Sequence, residues 1–252
     1  MELSAVLFDM DGVLIDTDDA IADLWNALAA ELGLAISPAD FAAHVYGCSP
    51  EHTIETVFSP LSPQDRAKVL RRVREAEPGL AFSPVPHAAD LVRHLADANV
   101  PLALVTGASA DRAAHALETL GLSDLFTTAV TWGEATRGKP APDCYLLAAD
   151  RLGVTPQTCL VFEDTTGGVA AAVAAGATCV ALSRLDPQPL RVAGARHVVR
   201  DFGAVRLREH GTRTVLGVAE QEAFTLRPAA ERFPAPSKTE NRAEAEGGSP
   251  WR

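Results

Sequence analysis

The chain of 252 residues carries 33 acidic and 22 basic side chains, a formal net charge of −11, and 47% of its residues are hydrophobic. This length suits one large domain or one domain with an insertion, with enough apolar material for a sizeable core. The acidic balance argues against nucleic acid or an anionic membrane as a partner, because both attract clustered lysine and arginine.

The sequence opens directly into a predicted strand, so we expect no signal peptide. No apolar run reaches the ~18 residues that a membrane-spanning helix needs. Cys159 and Cys179 lie in apolar, strand-like runs, and none of the four cysteines forms a C-x-x-C pair, so we expect buried core residues. These features predict a cytoplasmic protein, taken to be a monomer, that binds neither membrane nor nucleic acid.

Short apolar runs rich in β-forming residues recur along the chain and alternate with helical patterns in its later part. The predicted strands are 5–8, 101–106, 127–131, 159–162 and 178–182, and the predicted helices are 110–121, 143–153 and 167–176. Strands that alternate with helices of this length predict β-α crossovers and a parallel sheet. Near-continuous apolar strands indicate that helices cover both faces, which defines a doubly wound α/β core.

A long helical insertion separates the first predicted strand from the second. Residues 18–80 show helical patterns only, and a block of this size predicts a second, smaller domain. We assign residues 17–82 to this inserted domain, and residues 1–16 and 83–204 to the core. The predicted linkers between the two are 15–18 and 82–88.

The composition changes after about residue 204, where arginine, glutamate, proline, alanine and serine dominate. Such a segment cannot bury enough apolar surface to fold alone. We predict that residues 205–252 form a C-terminal extension that is largely a disordered tail. The disorder is predicted for 234–252, and 205–233 receives no assigned structure.

Polar residues follow several predicted strands at the point where each strand ends. The carboxyl ends of parallel strands meet at one edge of a sheet, where ligands bind, so we expect these residues to share one pocket. They are Asp9 and Asp11 after the first strand, Thr106, Gly107, Ala108 and Ser109 after the second, Lys139 before a helix, and Glu163 and Asp164 after the fourth.

Carboxylates packed this closely repel one another unless a cation offsets their charge. An oxygen-rich site suits Mg²⁺, a hard ion that also binds phosphate oxygens. Mg²⁺, a lysine and the N–H groups of a glycine-bearing turn are together the means of holding a phosphoryl group. Of two aspartates two residues apart, one can attack phosphorus and form an aspartyl-phosphate. The other can protonate the leaving oxygen and then activate water.

Four segments, in order along roughly residues 5–203, resemble the four motifs of the haloacid dehalogenase superfamily of phosphotransferases. They are D-M-D-G-V-L-I-D-T from Asp9, V-T-G-A-S around Thr106, R-G-K-P-A-P-D-C-Y around Lys139 and F-E-D-T-T-G-G around Glu163. Each motif alone is weak, but four in the right order are specific. The resemblance implies a Rossmann-like core with the insertion as an all-helical cap, as in subfamily I proteins similar to β-phosphoglucomutase and sugar-phosphate phosphatases.

The resemblance also implies how the residues of the first and third motifs act. Asp9 would be the nucleophile and a metal ligand. Asp11 would be the general acid/base, with its backbone carbonyl on the metal. Lys139 would steady the negative charge on Asp9 and on the phosphoryl group.

The second and fourth motifs would bind the phosphate and the metal. Thr106, Gly107 and Ala108 would hold the phosphate of the substrate, and Glu163 and Asp164 would complete the Mg²⁺ shell. Ser109 is interpreted as a helix cap. The implied ligand is a small phosphorylated metabolite.

Two other activities of the superfamily and a non-catalytic role fit the sequence less well. Dehalogenases lack the second aspartate, which is present here as Asp11. A β-phosphoglucomutase-like mutase stays open as the alternative, although such mutases carry a cap histidine near the position of Ile21 and an arginine at that of Pro50. A non-catalytic regulatory role is disfavoured, because such members usually lose a nucleophile or metal ligand and none is missing. The sequence therefore favours a phosphatase that acts on a sugar or polyol phosphate.

Overall fold

The computed structural model describes residues 1–184, 186–210, 213–218 and 222–229. The strands of this part are β1 Glu2–Leu3, β2 Ala5–Phe8, β3 Ile15–Asp16, β4 Ser83–Pro84, β5 Leu102–Val105, β6 Thr128–Val130, β7 Cys159–Glu163, β8 Thr178–Leu182, β9 His197–Val199, β10 Val205–His210, β11 Arg213–Val218 and β12 Glu222–Leu226. The α-helices are α1 Asp18–Glu31, α2 Pro38–His44, α3 Pro50–Thr56, α4 Pro63–Ala76, α5 Ala88–Asp97, α6 Ala110–Leu120, α7 Asp143–Arg151, α8 Thr166–Ala174 and α9 Gln188–Val192.

The core is a six-stranded parallel sheet in the order β6-β5-β2-β7-β8-β9. The first strand of this sheet, β2, lies between β5 and β7. The chain passes from β2 to β5 and β6 on one side and then returns to β7, β8 and β9 on the other. This reversal is the topological switch point at which doubly wound sheets bind ligands. The predicted doubly wound α/β fold is confirmed.

Side chains along each central strand alternate between two hydrophobic clusters, one on each face of the sheet. In β2, Val6 and Phe8 belong to the cluster that contains α5 and α6, whereas Ala5 and Leu7 belong to the cluster that contains α7 and α8. Because all four residues are fully buried, β2 reads as an unbroken apolar run rather than an alternating one. The predicted burial of Cys159 and Cys179 is also confirmed.

The inserted helices α1 to α4 enclose a hydrophobic cluster of their own, centred on Trp25, Phe41 and Phe58. Three of these helices begin with the same dipeptide, Ser-Pro. In each, the serine side chain accepts a hydrogen bond from the backbone N–H three residues on, and proline occupies the first turn. The two connections to the core pair with each other, because β3 and β4 form a short antiparallel ladder. The cap is therefore joined to the core by a two-stranded neck.

The predicted secondary structure agrees closely with the observed elements over the core. The predicted strands and helices all occur, with ends shifted by one or two residues. The sequence analysis did not predict α5, α9 or β9. Within the described residues, no helix combines the length and the hydrophobicity that a membrane crossing requires.

The largest difference from the sequence analysis lies after residue 204. Strands β10, β11 and β12 form an antiparallel sheet, and β12 pairs in parallel with β1 at the start of the chain. Leu216 and Phe224 of this sheet are fully buried and join the cluster over α5. The segment lacks a core of its own but is stabilised by this docking, so the first part of the predicted extension is ordered structure. The predicted tail over 234–252 lies outside the described residues.

Candidate active site

Asp9 and Lys139 form a buried ion pair at the carboxyl end of β2. The Lys139 ammonium group donates to Asp9 and also contacts Glu163 Oε1 at 2.6 Å and the Val105 carbonyl oxygen at 3.1 Å. All three charged side chains are at most 5% exposed. One lysine therefore joins the ends of β2, β5 and β7, although it lies in the loop before α7.

Glu163 is held by hydrogen bonds on both carboxylate oxygens. Tyr145 donates its hydroxyl to Oε1 at 2.7 Å, and Oε2 accepts from the Asp164 and Thr165 backbone N–H groups at 3.0 and 3.2 Å. Gly168 gives this carboxylate its space, because a Cβ there would overlap it. The glycine pair of the fourth motif thus includes one position that the acidic site requires.

Asp164 completes an acidic group with Asp9 and Glu163, whose nearest carboxylate oxygens all lie within 4.8 Å of one another. Gly12 faces this group with φ of 76°, and a Cβ there would overlap the Asp164 carboxylate. The first and fourth motifs are therefore in direct contact at this turn. Asp164 Oδ1 is buried and has no hydrogen-bond partner.

The electrostatics of this acidic group favour an additional cation. Burial, opposed by Lys139, raises the pKa of Asp9 to about 8. Burial and the neighbouring Glu163 raise the pKa of Asp164 well above its usual value. Three carboxylates face a single lysine, and the orphaned Asp164 oxygen lacks a partner. Oxygen ligands of this kind, with excess negative charge, fit a divalent hard cation.

Asp11 lies apart from the acidic group and has different partners. Its Oδ1 accepts from the Thr17 hydroxyl at 2.6 Å and from Arg112 at 2.5 Å, and its Oδ2 accepts a second, 3.3 Å bond from Arg112. Arg112 also approaches Glu77 Oε1 at 3.6 Å. The Asp11 side chain is thus engaged by a buried arginine, and the predicted contact of its backbone carbonyl with a metal stays a prediction.

The second motif forms a tight turn between β5 and α6. The Thr106 hydroxyl accepts from the Ala108 N–H at 3.0 Å. Ser109 is the N-cap of α6, accepting from the Arg112 N–H, which confirms its interpretation as a helix cap. The Gly107 backbone faces the cap, since a Cβ there would lie 3.6 Å from the Cys48 carbonyl oxygen.

A cavity of about 720 Å³ lies between the core and the cap. We call its core side the cavity floor, which includes Thr106, Gly107 and Lys139. Its cap side, the cavity roof, is formed by Gly47, Ser49, Glu51, His52 and Glu55. The floor brings together two of the predicted phosphate-binding residues, Thr106 and Gly107, and the lysine that contacts Asp9, whereas Ala108 is buried and does not line the cavity.

Direct contacts between cap and core enclose this cavity. Gly47 packs so closely on Thr165 that a Cβ would overlap the threonine side chain. Glu51 of α3 accepts from the Trp132 indole N–H at 2.7 Å and from Arg74 at 3.3 Å. The guanidinium of Arg74 in turn lies 4.9 Å from the centre of the Trp132 ring. The cap is therefore closed over the strand ends.

The sequence analysis missed several residues that shape the site. Thr17, Glu77, Arg112 and Tyr145 each bond to a predicted site residue or to its partner. Tyr145 lies within the quoted third motif, so its position was a usable signal. Arg112 has no such signal, because an arginine in an amphipathic helix usually points into solvent.

The fold and this geometry define an α/β protein with a capped acidic centre at the switch point of its parallel sheet. The family model of the haloacid dehalogenase-like hydrolases matches residues 3–176. The chain belongs to this family, which confirms the resemblance seen in the motifs.

Curated relatives and solved structures agree with this assignment. Hexitol phosphatase A of Escherichia coli is 35% identical over 73% of this chain and 84% of its own. Fructose-1-phosphate phosphatase YqaB of the same organism is 32% identical over 70% of this chain and 95% of its own. A putative β-phosphoglucomutase from Bacteroides vulgatus has a TM-score of 0.70 and 27% identity, covering 79% of this chain and 84% of that chain.

Proposed function

We propose that this protein is a Mg²⁺-dependent phosphatase that hydrolyses a sugar or polyol monophosphate through an aspartyl-phosphate at Asp9. The observation that carries the proposal is the cavity floor. There, Lys139, which pairs with the buried Asp9, lines the same cavity as Thr106 and Gly107. A nucleophile, a cation and backbone donors beside one cavity are what in-line phosphoryl transfer needs.

In the first half-reaction, an Asp9 carboxylate oxygen attacks phosphorus, and a new O–P bond forms as the ester O–P bond breaks. Asp11 gives its proton to the leaving oxygen, so that the sugar or polyol departs as a neutral alcohol. Lys139, already in contact with Asp9, holds positive charge beside the transferring group. Thr106 and the Gly107 N–H bind the phosphoryl oxygens.

In the second half-reaction, Asp11 takes a proton from water, and the water oxygen attacks the phosphorus of the aspartyl-phosphate. The bond to Asp9 breaks, and inorganic phosphate is released. Closure of the cap on Thr165 and Gly107 limits this water to what the cavity holds. The protonation states of Asp9 and Asp11 are restored at the end of the cycle.

Asp9, Glu163 and Asp164 would hold the Mg²⁺ ion, with the Asp11 backbone carbonyl as a further candidate ligand. When bound, the ion supplies positive charge that offsets the carboxylates and stabilises the charge on the phosphoryl oxygens. The residues present fit this ion, because they are hard oxygen donors and one buried Asp164 oxygen lacks a partner.

The cavity supports an uncharged, hydroxylated leaving group. Among the described residues that line it, the only lysine and arginine are Lys139, which pairs with Asp9, and Arg137, which pairs with Asp143 at 2.8 Å. The cavity roof instead presents Ser49, His52 and the two glutamates. Hydroxyl groups of a sugar or polyol suit such partners, whereas a second phosphate would lack a cation. The names of the two Escherichia coli relatives point the same way.

A mutase is the second candidate, favoured by the similarity to the putative β-phosphoglucomutase. A mutase must hold a bisphosphate, which calls for a cationic group in the cap. Arg74 is the cap arginine beside the cavity, and it is engaged by Glu51. This engagement supports water, rather than a sugar hydroxyl, as the acceptor of the phosphoryl group.

A phosphate-release screen tests the proposal. Hexitol, hexose and pentose monophosphates are incubated with the enzyme in Mg²⁺, and the best substrate is measured further. Alongside it, β-glucose 1-phosphate is incubated with a bisphosphate primer. We expect free phosphate to appear at the rate of substrate loss. Formation of glucose 6-phosphate faster than phosphate release would establish the mutase instead, and no reaction with any ester would defeat both.

A further inference from the structure

The Asp11 carboxylate is linked to both connections between core and cap, directly through Thr17 and indirectly through Arg112 and Glu77. Thr17, which donates to Asp11, occupies the N-cap position of α1, but its side chain makes no capping bond to the helix. On the return side, Glu77 follows α4 directly and contacts Arg112, the other partner of Asp11. Glu77 also accepts from the Ser109 N–H at 2.8 Å.

This arrangement is buried, and its polar atoms are not fully paired. Arg112 is 4% exposed and Glu77 is 6% exposed. Arg112 Nε and Glu77 Oε2 are both buried without a hydrogen-bond partner. A buried ion pair of this kind is weak evidence for stability, since apolar residues often serve as well. Arg112, however, bonds through its two terminal nitrogens to both oxygens of Asp11. A two-point contact of this kind fixes the orientation of the Asp11 carboxylate.

We propose that Arg112, fixed by Glu77, is the positioning residue of the general acid/base. It sets where the Asp11 carboxylate lies. Through its contact with Glu77, it also couples that position to the segment that leads from the cap back to the core. Both terminal nitrogens of Arg112 bond to the Asp11 carboxylate, so its effect on the reaction passes through Asp11. This inference rests on the proposed function, in which Asp11 protonates the leaving oxygen.

The dependence on the leaving group separates positioning from mere stability. A sugar or polyol oxygen must be protonated as it leaves, whereas p-nitrophenolate leaves without a proton. The ratio kcat/KM covers only the steps up to the first phosphoryl transfer, so later water attack does not enter it. The ratio of kcat/KM values for the two esters, measured on one preparation, is also independent of the folded fraction.

The experiment compares R112Q with wild type on p-nitrophenyl phosphate and on the alkyl monophosphate that the screen identifies as the best substrate. We expect kcat/KM on the alkyl ester to fall on the order of 100-fold, the lower range for general acid catalysis. On p-nitrophenyl phosphate we expect about threefold or less. E77Q should shift the ratio in the same direction by a smaller factor, and R112K should restore part of it. The control is R72Q, which breaks an exposed cap pair with Glu31 and should leave the ratio unchanged.

Because R112Q leaves Glu77 buried without its cation, the E77Q/R112M double variant is measured as well. It removes both charges and should show the same selective loss on the alkyl ester. Equal losses on the two esters in both variants would overturn the inference while leaving the phosphatase intact. Failure of the wild type to hydrolyse either ester would instead defeat the proposed function.

Discussion

The cavity floor and the cavity roof differ in how firmly their side chains are held. On the floor, Lys139 is almost fully buried and bonded to two carboxylates and a backbone carbonyl. On the roof, Glu55 is exposed, and half-buried His52 bonds to His44 at 3.2 Å. Glu51, His52 and Glu55 of the roof belong to α3, a short helix of the cap.

This contrast assigns different tasks to the two sides. Bond making needs atoms held within a fraction of an ångström, which a sheet edge with several hydrogen bonds per side chain provides. Choice among substrates needs groups that can differ without disturbing that geometry. We therefore expect changes to the floor to abolish reaction with every ester, and changes to the roof to alter selectivity.

The largest effect should come from Asp9→Asn. The amide keeps the shape but is a poor nucleophile, so kcat should fall on the order of 10⁴-fold or more for every ester. Turnover is measured by phosphate release, and circular dichroism verifies folding. Asp111→Asn, an exposed change in the first turn of α6, is the control. Substantial activity in pure Asp9→Asn protein would contradict the assignment of Asp9 as the nucleophile.

Metal removal should have the next largest effect, and the effect should be the same for every substrate. We expect EDTA to reduce turnover to background and Mg²⁺ to restore it, because the three carboxylates would otherwise repel the phosphate. Titration calorimetry of Mg²⁺ gives a second measurement. Asp164→Asn should weaken Mg²⁺ binding by about tenfold or more. Full turnover in chelated buffer would mean that Glu163 and Asp164 have been misinterpreted.

Tyr145→Phe should produce a moderate loss. The change removes the 2.7 Å bond to Glu163, so we expect kcat to fall by about tenfold. The free energy of unfolding should fall by about 1–2 kcal/mol. Urea unfolding and phosphate release measure the two effects. The control is Tyr46→Phe, in the other tyrosine of the chain, which packs within the cap. Wild-type behaviour of Tyr145→Phe would show that Lys139 and the backbone N–H groups hold Glu163 without the tyrosine.

Substitutions in the cavity roof should change KM for some substrates and not for others, without abolishing turnover. For Glu55→Gln and His52→Ala we expect KM for the best sugar or polyol phosphate to rise about three- to tenfold, the cost of one lost hydrogen bond. KM for p-nitrophenyl phosphate should stay within about twofold, since it offers no hydroxyl groups to the roof. Equal effects on both esters would remove the distinction between floor and roof.

Deletion of residues 234–252 should have the smallest effect. The segment is polar and rich in proline, and every predicted site residue precedes residue 165. We expect kcat and KM on the best substrate to match the full chain. A truncated protein that loses activity or changes its substrate preference would show that the tail acts at the site.

Most of the acidic group was predictable because its residues are local in sequence. A carboxylate directly after an apolar strand can be found without knowing what lies beside it, and Asp9, Glu163 and Asp164 all have this position. Arg112 and Glu77 could not be found in this way. Their contact joins α6 to the segment that follows α4, residues far apart in sequence, and each residue alone resembles a solvated charge.

The sheet after residue 204 was missed for a different reason. Its composition is polar, but Val205 and Leu207 alternate with Arg206 and Arg208, a period of two that predicts a half-buried strand. The overall composition of a segment does not reveal such an alternation. Whether the strand is stable depends on the face over α5 against which it packs, which composition alone does not reveal.

The pairing of β1 with β12 bears on how this protein forms during synthesis. Glu2 lies opposite Thr225, so β1 is synthesised long before the strand with which it pairs. Contacts so distant in sequence form slowly, because a long loop must close before they contribute stability. The six-stranded core can assemble before β1 is paired, and the small sheet then joins β1 to β12. A shortened chain that stops before β12 would leave β1 as an unpaired edge, open to association with other chains.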